Sequence, residues 1–386
     1  LPLLTMDERA GRFNPHWREQ IEHAQLEEYW EPLRYQQKFD RVHVPVLHIS
    51  GWYDDEQIGT PLNYTGMTQQ AATPEARRHQ RLIMGPWGHV VNSTTRLGSI
   101  DFGPQSLIDL RSEELRWFNR WLKGYTFDVE PDSSPVRIFV MGTNEWRDER
   151  EWPLARTRWT PFYLHSAGRA NSRYGNGSLS IHSPTTEEPF DSYRYDPANP
   201  VPFITDPTSS QIGGPDDYSA IERRDDMLVY VGDPLSEPME VTGPVRVELY
   251  ASSSAPDTDF TAKLVDIWPS GFTQRLCDGM VRARFRDGLD RPSLIEPGKV
   301  YKYYIDCWNT SQVFKIGHRI GLEIASSAFP KYDRNLNTGA PLGVTTEMKV
   351  AEQRIYHDVE HPSAIILPLI PIVEEVPDTW AQAENE

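Results

Sequence analysis

The chain has 386 residues, 38% hydrophobic and 25% charged, with a net charge of −17. Ordinary domains run to about 100–150 residues, so at least two folding units are expected. So acidic a chain lacks the basic face that nucleic acid or an anionic bilayer requires, and no apolar run approaches the roughly 20 residues of a membrane helix.

In chain order, residues 8–40 are rich in Arg, Glu, Gln, Trp and Tyr and read as helical, with Ile21, Ala24, Leu26 and Tyr29 on one face. Trp17, Tyr29 and Trp30 in this segment either line a substrate pocket or pack between it and the body. Val44 to Ser50 and Arg81 to Met84 are short apolar runs expected as buried strands. Between them the sequence predicts a helix over Thr60 to Ala72 and a polar loop over Pro74 to His79, about the length a strand–crossover–strand unit needs. Glu113 to Lys123 predicts a helix, with Leu115, Phe118, Trp121 and Leu122 at helical spacing and Gly124 as its stop. Trp117 and Trp121, four apart, are expected to pack on the sheet.

After Asp128 the texture changes to short β-rich runs between Pro, Gly, Asn and Asp clusters. Strands are expected over Val136–Met141, Pro161–His165, Asp226–Val231, Val245–Ala251, Thr261–Trp268, Val300–Cys307 and Arg319–Ala325, paired antiparallel in a sandwich. The stretch 166–225 reads as loops draped over that sandwich, because Tyr193, Tyr195, Phe203, Ile204 and Tyr218 need burial. The expected division is 1–40, 41–130 and 131–386.

Two motifs carry chemistry. Gly-Trp-Tyr-Asp ends at Asp54 and Gly-Pro-Trp-Gly-His ends at His89, each directly after a predicted strand. Open α/β sheets bind ligands at the carboxyl ends of their strands. A histidine there can accept a proton and return it, and a carboxylate can fix its tautomer. In α/β-hydrolases the chain order is nucleophile, acid, base. Asp54 and His89 fit the last two places. Their bland reading is a turn aspartate and a loop histidine.

The surrounding words resemble the CocE/NonD hydrolase family, whose members include cocaine esterase-like enzymes, α-amino acid ester hydrolases, glutaryl acylases and X-Pro dipeptidyl-peptidases. The resemblance runs in order through Leu26–Asp54, the GPWGH motif, Glu113–Gly124, Val136–Trp152, Asp226–Gly243 and Tyr250–Gly271. It implies a cap-like segment over 1–40, the C-terminal part of an α/β-hydrolase domain over 41–130, and a jelly-roll β-sandwich of galactose-binding-like shape over 131–386. It assigns Asp54 as triad acid and His89 as base. It places Val136–Trp152 at the entry to the β-domain and Asp259 near the interface with the hydrolase body. The family's serine lies in a Gly-x-Ser-Tyr-x-Gly elbow, and no Gly-x-Ser-x-Gly occurs in this sequence. The expectation is that the serine lies on an upstream portion of the same polypeptide, which would be this chain's partner.

Trp52 and Trp87 each lie close before a proposed catalytic residue and are candidate pocket walls, or shields against water. Asp257, Asp259 and Asp266 invite a cation reading, but their spacing fits no calcium loop and turn or strand-end hydrogen bonding is favoured. His43 and His48 bracket a buried strand and read as structural; His318 reads as a turn residue. Cys277 and Cys307 are too few for a disulfide framework and are expected as buried free thiols. No cofactor and no metal site is expected.

The sequence thus points to a serine hydrolase of a small ester, amide or peptide, inactive as this isolated chain. The alternative is a non-catalytic binding or assembly module built on the jelly roll. A soluble protein is expected, with the cytoplasm slightly favoured, and a homo-oligomer is neither required nor excluded.

Overall fold

The computed structural model describes residues 2–125, 134–205 and 213–371. The 130/131 boundary, Asp128 and Leu1 lie outside the described residues.

The N-terminal segment is less helical than its composition suggests. Its longest helix, α1 (Pro15–Glu22), starts on an Asn14 cap and is followed by single turns and irregular chain. Ile21 is therefore the only one of the four supposed face residues on that helix. The segment lies against loops of the C-terminal half, with Leu4 N bonded to Gly343 O at 2.9 Å and Leu26 N to Leu289 O at 2.9 Å.

Strand β1 (Leu47–Gly51) leads through α2 (Gly59–Gln70) and α3 (Pro74–Arg78) into β2 (Arg81–Gly85). The predicted polar loop over 74–79 is thus a helix. Pro74 begins α3, and the Thr73 hydroxyl caps it by accepting from Ala76 N at 3.0 Å. Strands β1 and β2 pair in parallel, Leu47 against Arg81 through Gly51 against Gly85. Helix α4 (Leu110–Lys123) follows, held to β2 by the Glu113–Arg81 ion pair at 2.9 Å. Trp121 tilts against Trp117 and His79. Leu115, Phe118 and Leu122 stay exposed, an apolar stripe of the kind that packs against a further layer.

Strands β3 (Val136–Val140) and β4 (Glu145–Glu149) correct the antiparallel sandwich pairing expected for Val136–Met141. β3 pairs in parallel with β2, and β4 closes the order β1-β2-β3-β4. The reason is burial: Val136, Ile138 and Phe139 are fully covered in one core with Trp52, Leu82, Met84 and Trp152. β1 forms one edge of this sheet.

The remainder is β-rich: β5 (Arg158–His165), β6 (Gly177–Ser180), β7 (Asp191–Tyr195), β8 (Leu228–Val231), β9 (Met239–Ser253), β10 (Asp259–Ile267), β11 (Thr273–Arg282), β12 (Tyr301–Phe314), β13 (Arg319–Ala325), β14 (Ala351–Tyr356) and β15 (Ala364–Ile370). They form one eleven-stranded sheet ordered β11-β10-β13-β8-β6-β5-β15-β9-β14-β7, with β12 on β9. Almost all pairings are antiparallel; β8 with β6 is parallel. Strands β6 and β7 lie inside the stretch expected as loops. Leu249, Phe260, Leu264, Tyr303 and Ile305 form the main core. Tyr193, Tyr195, Phe203 and Tyr218 are buried, whereas Ile204 is only half-buried. Cys277 and Cys307 are buried free thiols.

Candidate active site

Asp54 and His89 stand on the loops that leave the carboxyl ends of β1 and β2. Two glycines let those loops nest. Gly51 and Gly85 are register partners. A Cβ on Gly51 would lie 2.1 Å from the Trp87 carbonyl oxygen, and one on Gly85 would lie 2.3 Å from the Trp87 ring. With neither present, Trp52 N donates to Gly85 O at 2.9 Å and Tyr53 N to Trp87 O at 3.0 Å. These bonds bring the two motifs side by side.

His89 Nδ1–H donates to Asp54 Oδ1 at 3.1 Å. Asp54 also accepts from the buried Ser50 hydroxyl at 3.0 Å and from Glu56 N at 3.0 Å. The Asp54 side chain is only 11% exposed, whereas His89 is 49% exposed and so sits at the surface of the chain. The Asp54 hydrogen bond and charge hold the imidazole above its ordinary range, against a weak desolvation effect, with Asp55 and Glu56 adding in the same direction. Asp54, Asp55 and His89 bring one donor atom each within 4.8 Å of one another. Asp54's oxygens accept three hydrogen bonds, one of them from His89 itself.

The aromatic neighbours serve packing. Trp52 donates its indole N–H to Phe139 O at 2.7 Å and Trp87 donates to Ser106 O at 3.0 Å. Both rings are buried, Trp52 against Trp152 and Trp87 against Trp146. At about 25 cal/mol per Å² over roughly 200 Å², each contributes up to about 5 kcal/mol. Trp52 still borders a narrow cleft where Asp54, Asp55 and Gln57 face Asp278, Trp308 and Lys331. Trp30 gives its indole N–H to His23 O at 2.8 Å and meets Tyr29 edge-on; neither contact reaches Asp54 or His89. Trp17 likewise bonds Leu3 O.

Other singled-out residues are held by partners away from Asp54 and His89. His48 is buried on Gln80. Asp259 is gripped by Arg282 at 2.8 and 2.9 Å and by Asn335, all within the β-rich half, so the body contact implied for it is made by other residues. Asp257 pairs with Arg284, and Asp266 with His318 at 2.8 Å; His318 is thus a buried partner as well as a turn residue. The body is fastened instead by Arg147–Glu240, Tyr53–Arg275 and Gln57–Asn309.

A second Ser–His–Asp grouping occurs at Ser166, His357 and Asp191, but its wiring differs. The Ser166 hydroxyl donates to Asp191 at 2.8 Å. His357 directs Nε2 to Asp191 at 3.0 Å and Nδ1 to Glu188 at 3.1 Å, and those carboxylates hold it above its ordinary range despite burial. An imidazole bridging two carboxylates stabilises structure and is a poor base.

Sequence reasoning missed Ser50, Gln57 and Asn309. Ser50 was visible as a hydroxyl one residue before the motif. Nothing local marked Gln57 and Asn309, which lie 252 residues apart.

Residues 3–91 match the family model described as X-Pro dipeptidyl-peptidase (S15 family), and residues 128–366 match its C-terminal non-catalytic domain. The cocaine esterase of Rhodococcus sp. is 42% identical over 368 residues, 93% of this chain and 62% of the relative. The chain belongs to the CocE/NonD hydrolase family.

Within this family, a solved α-amino acid ester hydrolase superposes with a TM-score of 0.84 at 27% identity, covering 95% of this chain and 63% of that one. An aminopeptidase from a marine-sediment Thaumarchaeota archaeon superposes at 0.82 with 28% identity, covering 95% and 61%. The chain therefore spans between 61% and 63% of the length of each of these three relatives. No helix among the described residues is long and apolar enough to cross a membrane.

Proposed function

We propose that this chain supplies the acid and base of a serine hydrolase that cleaves esters or amides through an acyl-enzyme. The observation that carries it is the 3.1 Å bond from His89 Nδ1 to Asp54, at the carboxyl ends of two parallel strands. With Nδ1 engaged by Asp54, Nε2 is the nitrogen that takes the serine proton and hands it to the leaving group. Asp54 holds the tautomer and stabilises the imidazolium. The serine attacks the carbonyl, and preorganised donors stabilise the oxyanion.

The serine belongs, in this reading, to another portion of the same polypeptide. Three features support that. The sequence holds no Gly-x-Ser-x-Gly. β1 ends the sheet order, and α4 exposes Leu115, Phe118 and Leu122, so edge and helix face both suit a further layer. The relatives are longer and are named as an esterase, an ester hydrolase and an aminopeptidase, which favours a small ester, amide or peptide substrate. The β-rich half is read as a jelly roll, supported by the long β9, which pairs with β12 on one side and with β14 and β15 on the other.

The test is a fluorophosphonate probe applied to this chain and to the full-length polypeptide. Labelling of the full-length form alone, abolished by His89→Ala, is the expected result. Labelling of neither would overturn the hydrolase reading in favour of a binding module. Labelling of this chain alone would place the nucleophile within it.

A further inference from the structure

Gln57 lies three residues past Asp54 and is fully buried. Its amide is spent on the nearby Trp52 carbonyl and on distant Asn309. Nε2 donates to Asn309 O at 2.7 Å and to Trp52 O at 3.3 Å. Oε1 accepts from Asn309 N at 3.1 Å and from Asn309 Nδ2 at 3.3 Å.

Asn309 sits in β12, opposite Pro244, a residue with no N–H to offer the ladder. The register of β12 on β9 slips at this point, and Trp308 adopts φ +67°, a left-handed conformation uncommon outside glycine. The irregularity turns the Asn309 backbone toward the acid loop. Strain of this kind persists only where surrounding contacts hold it. On the other side of Asp54, the Tyr53 hydroxyl donates to Arg275 O at 3.2 Å, and Gln274 Nε2 donates to that hydroxyl at 3.4 Å. Within the turn, Asp54 N bonds Gly51 O and Gln57 N bonds Asp54 O. The turn that presents Asp54 is thus fastened at both ends to β11 and β12.

We propose that Gln57 is a positioning residue, through which the β-rich domain sets where the Asp54 carboxylate stands against His89. The inference rests on the acid–base reading of Asp54 and His89. It assigns a part in shaping that pair to a domain whose family description is non-catalytic.

The test uses Gln57→Met, which keeps length and removes all four hydrogen bonds. The primary readout is the titration of the His89 ring in this chain, followed by NMR. His89 faces Asp54, Asp55 and Glu56, and Asp54 is the main cause of its raised midpoint. The expected result is a midpoint lowered toward that of an ordinary histidine, with a cooperative thermal melt retained. Asn309→Ala, which removes the Nδ2 bond alone, should lower it less. In the full-length enzyme, Gln57→Met should reduce kcat about tenfold to a hundredfold with KM nearly unchanged. A folded Gln57→Met with unchanged midpoint and kcat overturns the proposal. Should that variant not fold, an unchanged midpoint in Asn309→Ala overturns it. Asp54→Asn separates the two readings: a lowered midpoint with hydrolysis intact refutes the catalytic role of Asp54 and leaves the lock standing.

Discussion

Replacing Gly51 by alanine tests the nesting of the two motif loops directly. The added Cβ would stand 2.1 Å from the Trp87 carbonyl oxygen, 2.5 Å from its carbon and 2.9 Å from its Cα. Close carbon–oxygen contacts need about 3.3 Å, so the loops must part by about 1.2 Å. All three obstructing atoms are backbone, and no rotamer change relieves them. The separation stretches the Tyr53 N to Trp87 O bond beyond use. Overpacking costs about 1–3 kcal/mol, and losing a buried backbone bond about 1–3 kcal/mol more. The expected loss is therefore about 2–6 kcal/mol, read from chemical denaturation followed by tryptophan fluorescence. Gly59→Ala is the control. Its only close neighbour would be Asn63 Nδ2 at 3.8 Å, and a helical alanine should be neutral or stabilising by up to about 1 kcal/mol. A Gly51→Ala protein within about 0.5 kcal/mol of the parent would refute the reasoning.

The remaining predictions concern protons. His89 must be neutral to act as a base, so the acid limb of kcat/KM in the full-length enzyme should lie above the ordinary histidine value of about 6.5, and Asp54→Asn should move it down. The same raised value means that the Asp54–His89 pair stabilises the fold fully below about pH 6.5 and loses that effect as pH rises through the folded value. The melting difference between parent and His89→Ala should accordingly shrink toward alkaline pH; a constant difference would contradict the pairing. Burial, and then the charge of Glu323, push Glu222 up to about 7. A carboxyl that binds its proton more tightly when folded stabilises below its ordinary value and loses this as pH rises toward 7. Glu222→Gln should therefore be more stable than the parent by on the order of 1–3 kcal/mol at about pH 8, with little gain at about pH 5. An equal effect at both pH values would sink that account.

Local signals carried part of the fold. Arg319–Ala325 is a strand with the bounds its apolar run suggests, and β1, β2 and α2 lie where short-range pattern puts them. Two of the strands that went unread carry buried polar residues. β7 covers Asp191 at 0% exposure, and β11 covers Arg275 and Asp278. Their charges are paired across the fold: Asp278 is held down to about 2, despite burial, by Lys331 and Arg275. A strand that buries ion pairs shows neither alternation nor an apolar run. The apolar residues of α4 mislead in the opposite direction, since Leu122 is 77% exposed.

Asp54 and His89 could be singled out from the sequence because each stands directly after its own strand, and the roles of acid and base came from the family resemblance of the surrounding words. Their distance could not, since it depends on the register that sets Gly51 against Gly85. Nor could the sequence say why those words contain glycine and tryptophan. The glycines make room for the Trp87 backbone and ring, and both tryptophans are core residues with satisfied N–H groups. The grip on the acid loop is wholly tertiary. Gln57 meets Asn309 across 252 residues, because a bulge in a distant strand turns one backbone amide toward a turn that it never neighbours in sequence.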